Sequence, residues 1–222
     1  MLTLTEKFTR VCLDFSDREA MRIKSQSGWS IYRYRDLLSF ARKIANWLTV
    51  QGMTKGEKVA IILDNAPQWS MAYFGVLLAG GVCVPLDPQS SRQDIVTFVE
   101  DAGVSFVFME NRLLELLQHH LRQVKKIVIL KKEKGAQHCI SLDEIILTTK
   151  NLENFHATAS ELEDTASLIY SSGTTANPKG VELSHKNFYA NFEALMHNYN
   201  NNRRLVVPTR GPTKNGWRLN FV

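Results

Sequence analysis

Residues 58–88 read KVAIILDNAPQWSMAYFGVLLAGGVCVPLDP. The run 58–63 is short, apolar and uncharged after Lys58, which predicts a strand buried on both faces. Asn65 offers a side-chain cap and Pro67 suits a first helical turn, so a helix is expected to follow. Gly80-Gly81 should stop it, and VCVP at 82–85 then forms a second strand. Strand, helix and strand in this order make a right-handed βαβ crossover, which demands a parallel pair. The longest apolar stretch, 71–86, is shorter than the roughly 20 residues of a membrane span. Gly80, Gly81 and Pro85 also interrupt it, so no transmembrane segment is expected.

The alternation extends in both directions. Downstream, Ser91 and Asp94 have the spacing of a capping box opening a helix that Gly103 ends. VSFVFM at 104–109 reads as a third strand, 112–123 as a helix, and KIVIL at 126–130 as a fourth strand. Ser141 and Glu144 repeat the capping-box spacing. Upstream, 29–34 reads as a short strand entering a helix. Leu37, Ala41, Ile44, Ala45 and Leu48 mark that helix's apolar face, and Gly52 is its stop. Residues 1–28 show only weak patterning, and 150–164 read as a polar connector. The fold class expected is α/β, with a largely parallel sheet flanked by helices.

Residues 169–185, IYSSGTTANPKGVELSH, carry the chemistry. An apolar strand at 166–170 runs into four hydroxyl residues around one glycine. A Pro-Lys-Gly turn and the short strand VEL follow, and Ser184 can cap a helix over 185–199. These residue types suit a polyphosphate. Gly173 lets the backbone approach a ligand and turn N–H groups toward it. Ser171, Ser172, Thr174 and Thr175 supply hydroxyl donors. Lys179 adds a compact positive charge, and Pro178 stiffens the exit. The run is not a Walker loop, which ends in Gly-Lys-Ser/Thr and passes directly into a helix. No GxGxxG is present either.

SSGTTANPKG resembles the phosphate-binding signature of the adenylate-forming superfamily, usually written TSGTTGxPKG. Residues 55–88 are similar to that superfamily's first core motifs, and Tyr34 with Leu37 to the start of its early helix. The resemblance covers roughly 28–195 and is nearest to AMP-forming acyl-CoA synthetases. It implies an incomplete N-terminal domain of the adenylate-forming ligase fold over 1–200. It also implies ATP-dependent activation of a carboxylic acid, a fatty acid being the one expected, and transfer of the acyl group to coenzyme A. In that family the loop holds the β- and γ-phosphates of ATP, so Ser171, Ser172, Gly173, Thr174, Thr175 and Lys179 are its implied contacts. Ser171 is the implied Mg2+ contact. No catalytic residue is carried over to this chain.

Three departures stand out. Ala176 replaces the usual glycine, and alanine at a position of positive φ costs about 1 kcal/mol. Ser171 replaces threonine and keeps the hydroxyl. No YGxTE segment, ribose-binding aspartate motif or terminal lysine follows, so the C-terminal domain is expected to be absent and the chain truncated, with weak or no ligase activity. The alternative is a remnant or module that binds ATP or phosphate without ligation.

Composition bounds the rest. The chain has 222 residues, 44% hydrophobic and 22% charged, with a formal charge of +5. Arg203, Arg204, Arg210, Lys214 and Arg218 lie in 201–222, which has no acidic residue. Without those five, 22 basic residues face 22 acidic ones. The body is formally neutral, so nucleic acid is not an expected partner. The basic tail reads either as an ordinary tail or as the product of a frameshift. Cys12, Cys83 and Cys139 form no CxxC pair and the histidines no HExxH spacing, so neither a disulfide framework nor a zinc site is expected. The expected compartment is the cytoplasm. Trp29, Trp47 and Trp69 are expected to pack in or near the core, His185 to start a helix, and Asp87 to serve a turn.

Overall fold

The computed structural model describes residues 1–25, 28–132, 139–149, 152, 155–170 and 179–201. Helix α1 (Leu4–Asp14) leads into a separate two-stranded antiparallel hairpin, β1 (Glu19–Ser25) and β2 (Gly28–Arg33). Then come α2 (Tyr34–Val50), β3 (Lys58–Ile62), α3 (Pro67–Leu78), β4 (Val82–Pro85), α4 (Arg92–Ala102) and β5 (Phe106–Met109). A short α5 (Leu114–Leu117) precedes β6 (Lys126–Ile129), β7 (Cys139–Ser141), α6 (Leu142–Thr148), β8 (Thr165–Tyr170), β9 (Gly180–Ser184) and α7 (His185–Asn201).

Seven strands form one sheet in the order β7-β6-β5-β3-β4-β8-β9. Every neighbouring pair is parallel except β8 and β9. The largely parallel sheet read from the alternating pattern is therefore present, closed at one edge by an antiparallel return. Alternate side chains of the central strands enter two cores. Val59, Ile61, Cys83, Phe106 and Phe108 meet α2, α3 and α6 on one face. Ala60, Ile62, Val84, Val107 and Met109 meet α4 and α5 on the other. Among the described residues no helix is long and apolar enough to cross a membrane.

The local signals act largely as read. Ser91 Oγ accepts the Asp94 N–H, Ser141 Oγ that of Glu144, and Ser184 Oγ that of Asn187. Helices α2, α3 and α4 end beside Gly52, Gly80 and Gly103, all at positive φ. Four details differ. Helix α3 is capped at Ala66 without a side-chain bond, and Pro67 alone marks its start, so Asn65 is free to face solvent. The helix expected over 112–123 is broken into two 3-10 turns around α5. The Asn111 side chain ties its start to Lys131 of the next strand's exit, donating to the carbonyl and accepting the N–H. Trp29 is 54% exposed, although Ala20, Met21 and Tyr32 of the same hairpin pack against the core, while Trp47 is buried. Residues 1–25 hold α1 and β1, with Thr3 and Glu6 forming a reciprocal capping box.

Helix α3 lies close against α2 at Gly75, where an added Cβ would lie 2.6 Å from Ile44 Cγ2 and 3.2 Å from the Ala41 carbonyl oxygen. Overpacking a well-filled interior costs about 1–3 kcal/mol. Gly75→Ala is therefore expected to lower stability by that amount in urea-induced unfolding, despite alanine's better helix propensity.

Candidate functional site

Strand β8 delivers the chain to the hydroxyl-rich loop, and β9 takes it away. The register pairs Tyr170 with Gly180, so both ends of the nine-residue connection lie side by side at the carboxyl end of the sheet. Ser171, Ser172, Gly173, Thr174 and Thr175, with Ala176, Asn177 and Pro178, lie outside the described residues. Lys179 is described and is exposed at the entry to β9. Of the six implied phosphate contacts, the structure thus places Lys179 and the two strand ends between which the others run.

Both ends are anchored. The Tyr170 ring stacks on Phe98 of α4 with centroids 4.7 Å apart, and its hydroxyl donates to Asp101 at 2.5 Å. Phe98 and Asp101 share a helix face at i, i+3 spacing, so one helix grips both the ring and the hydroxyl. Burial and the Asp101 carboxylate push the Tyr170 hydroxyl above its ordinary pKa. On the return strand, a Cβ at Gly180 would meet Leu168 Cδ1 at 2.8 Å and the Tyr170 ring at 3.3 Å. Glycine at this position therefore lets β9 close on the ring that ends β8.

Strand β8 is fixed from beneath as well. Ser167 is buried, and its Oγ lies 2.7 Å from the Tyr73 hydroxyl of α3. Burial pushes the Tyr73 hydroxyl well above its ordinary range, so it stays protonated. The Cys83 thiol donates to the Tyr73 carbonyl at 3.3 Å. Tyr73, Tyr170 and Ser167 were not among the residues singled out from sequence. Their signal was indirect: a polar group inside an otherwise apolar helix or strand needs a partner.

The same sheet end carries a crevice of about 340 Å3 between the exits of β3 and β4, lined by Asp64, Asn65, Trp69, Leu86, Asp87 and Gln89. The connection from β3 runs over one face through α3, and that from β4 over the other through α4. This is a topological switch point, where open α/β sheets commonly receive ligands. Within the crevice Asp64 pairs with Arg112 at 3.0 Å. Asp87 Oδ1 accepts the Gln89 N–H at 2.8 Å, so Asp87 holds a turn.

A mostly parallel sheet covered on both faces, with the ends of β8 and β9 held together at its carboxyl end, defines a doubly wound α/β domain. The model of the family described as AMP-binding enzyme matches residues 8–209, and the chain belongs to that family. It is 29% identical over 208 residues to the long-chain-fatty-acid–CoA ligase of Bacillus subtilis, a match covering 78% of this chain and 36% of that one. The chain thus spans about a third of the length of that relative. Its fold superposes on the anthranilate CoA ligase AuaEII, solved with anthranoyl-AMP, at a TM-score of 0.76 and 20% identity, covering 86% of this chain and 36% of that one. ATP-bound MatB of Rhodopseudomonas palustris gives 0.72 at 24% identity, covering 90% and 38%.

Tyr73→Phe would leave the Ser167 hydroxyl buried without this partner, at a cost of about 1–3 kcal/mol. The expected result is that loss in chemical denaturation, with Tyr73→Phe/Ser167→Ala recovering part of it, because the double variant strands no polar group.

Proposed function

We propose that this chain carries the phosphate-binding portion of an AMP-forming acid–thiol ligase acting on a fatty acid, in the cytoplasm. The observation that carries this reading is SSGTTANPKG, running from the anchored end of β8 to the start of β9 in a member of the AMP-binding family. In the first half-reaction a carboxylate oxygen attacks the α-phosphorus of ATP. The bond from that phosphorus to the bridging oxygen breaks, giving acyl-AMP and pyrophosphate. In the second, the thiol of coenzyme A attacks the acyl carbon and AMP leaves.

The donor set fits a triphosphate. Hydroxyls of Ser171, Ser172, Thr174 and Thr175 donate to phosphate oxygens, and Gly173 admits the backbone to the same oxygens. Lys179 opposes the charge that grows on the departing pyrophosphate, which is electrostatic stabilisation of the transition state. Mg2+, when bound, neutralises phosphate charge. The Ser171 hydroxyl, a hard oxygen, is its candidate ligand from this chain. The fatty-acid assignment draws support from the Bacillus subtilis relative's name.

For the 222 residues taken by themselves the reading is narrower: binding of ATP or pyrophosphate without ligation. The segments that the resemblance assigns to adenine, ribose and the terminal lysine do not occur among them. Calorimetry is expected to register ATP or pyrophosphate binding that Lys179→Ala weakens about tenfold, or ~1.4 kcal/mol. Equal heats from the two proteins would overturn the phosphate reading. Acid-dependent exchange between ATP and labelled pyrophosphate is expected to stay at background, and measurable exchange would promote the chain to an active ligase.

A further inference from the structure

His185, the first residue of α7, is only 3% exposed, and its Nδ1 accepts the backbone N–H of Leu4 at 3.2 Å. Leu4 opens α1, so its N–H is one of those a helix leaves without an intrahelical partner. The same turn is capped from within by Thr3 and Glu6, whose side chains each accept the other's backbone N–H. His185 completes that cap from 181 positions away. Its own backbone N–H donates to the Asp164 carbonyl at 3.1 Å, and the Asp164 carboxylate pairs with Lys55 at 2.8 Å. Beside it lies a cavity of about 190 Å3 lined by Lys55, Lys58, Asp164, Glu182 and His185.

An imidazole nitrogen accepts only while it carries no proton, and the imidazolium donates from both nitrogens. The bond to Leu4 therefore requires neutral His185 with its proton on Nε2. A proton added at Nδ1 would set two donors against each other in a buried site, which is costly. We propose that His185 is a pH-sensitive latch: neutral, it holds the first turn of α1 against the head of α7, and protonated it releases that turn.

The surroundings set the direction. Burial lowers the His185 pKa, Asp164 and Glu6 raise it, Lys55 lowers it, and the outcome lies below the ordinary value. Glu182 and Lys58 face the same cavity, and Lys186 is engaged with Glu163 at 2.7 Å. With a folded-state value below that of the unfolded chain, the latch contributes fully above about pH 6.5 and is lost as the pH falls through the folded-state value. Release stays local. The Phe8 ring stacks on Phe74 at 3.7 Å and Cys12 is buried, so the rest of α1 remains seated.

The test is amide hydrogen exchange of residues 4–10 in the whole chain at pH 7.5 and pH 5.0, corrected for intrinsic exchange. Protection of the Leu4 amide is expected to fall about tenfold at the lower pH while α2 keeps its protection. His185→Asn offers an amide oxygen near the position of Nδ1 and does not titrate, so its Leu4 protection should be equal at both pH values. Unchanged wild-type protection would overturn the latch. So would a fall of the same size in His185→Asn, which would assign the effect to Glu6 or Asp164.

Discussion

The missing side chain at Gly75 sets how deeply α3 sits. With the ideal Cβ position 2.6 Å from Ile44 Cγ2, nothing larger than hydrogen fits between α2 and α3 without a shift. Seated there, α3 brings Tyr73 to Ser167 of β8 and Phe74 to Phe8 of α1. A packed interior transmits such displacements because it holds little free volume. The position of β8, and hence the point from which the hydroxyl-rich loop leaves the sheet, follows from how two helices meet on one face.

The two ends of the sheet are secured by different physics. At the amino ends of β3 and β5, Glu57 accepts from Ser105, Lys125 and the Thr54 N–H. Burial pushes the Glu57 carboxyl up, but Lys125, the Thr54 N–H and Ser105 together carry it down to about 2. Glu57 is ionised at neutral pH and binds the strand starts by charge. At the carboxyl end the anchor is a stacked ring pair, Phe98 and Tyr170, with one hydrogen bond to Asp101. The end of β8 is thus positioned by aromatic packing and one hydrogen bond, while the neighbouring exit of β3 carries the Asp64–Arg112 ion pair.

Legibility in the sequence follows burial. Strands β3 and β5 are buried throughout their central positions, and a short apolar run announces them. Strand β1 pairs only with β2, whose side chains are mostly exposed, so no buried apolar run marks it, although 29–34 already reads as a strand. Helix α1 did leave a trace, Thr3 three positions before Glu6, in a stretch too weakly patterned to stand out. The loop was readable because its residue types are local. Its supports were not, because Tyr170 meets Asp101 across 69 positions and Tyr73 meets Ser167 across 94. Spacing rules reach only a few turns of helix, and the contacts that hold this site are tertiary.

The antiparallel return at β9 also bears on what the proposed phosphate loop would have to supply. In a Walker loop the chain passes from strand to helix, and the helix N-terminus supplies positive potential to the phosphates. Here Tyr170 and Gly180 are paired, so the chain doubles back into a strand. A strand has almost no net dipole to offer. Helix α7 begins only at His185, at the far end of β9 from the loop. Any phosphate held between these strand ends must draw its counter-charge from side chains and bare N–H groups. Four hydroxyls, one glycine and Lys179 at the mouth of the return strand are the residue types that can supply it.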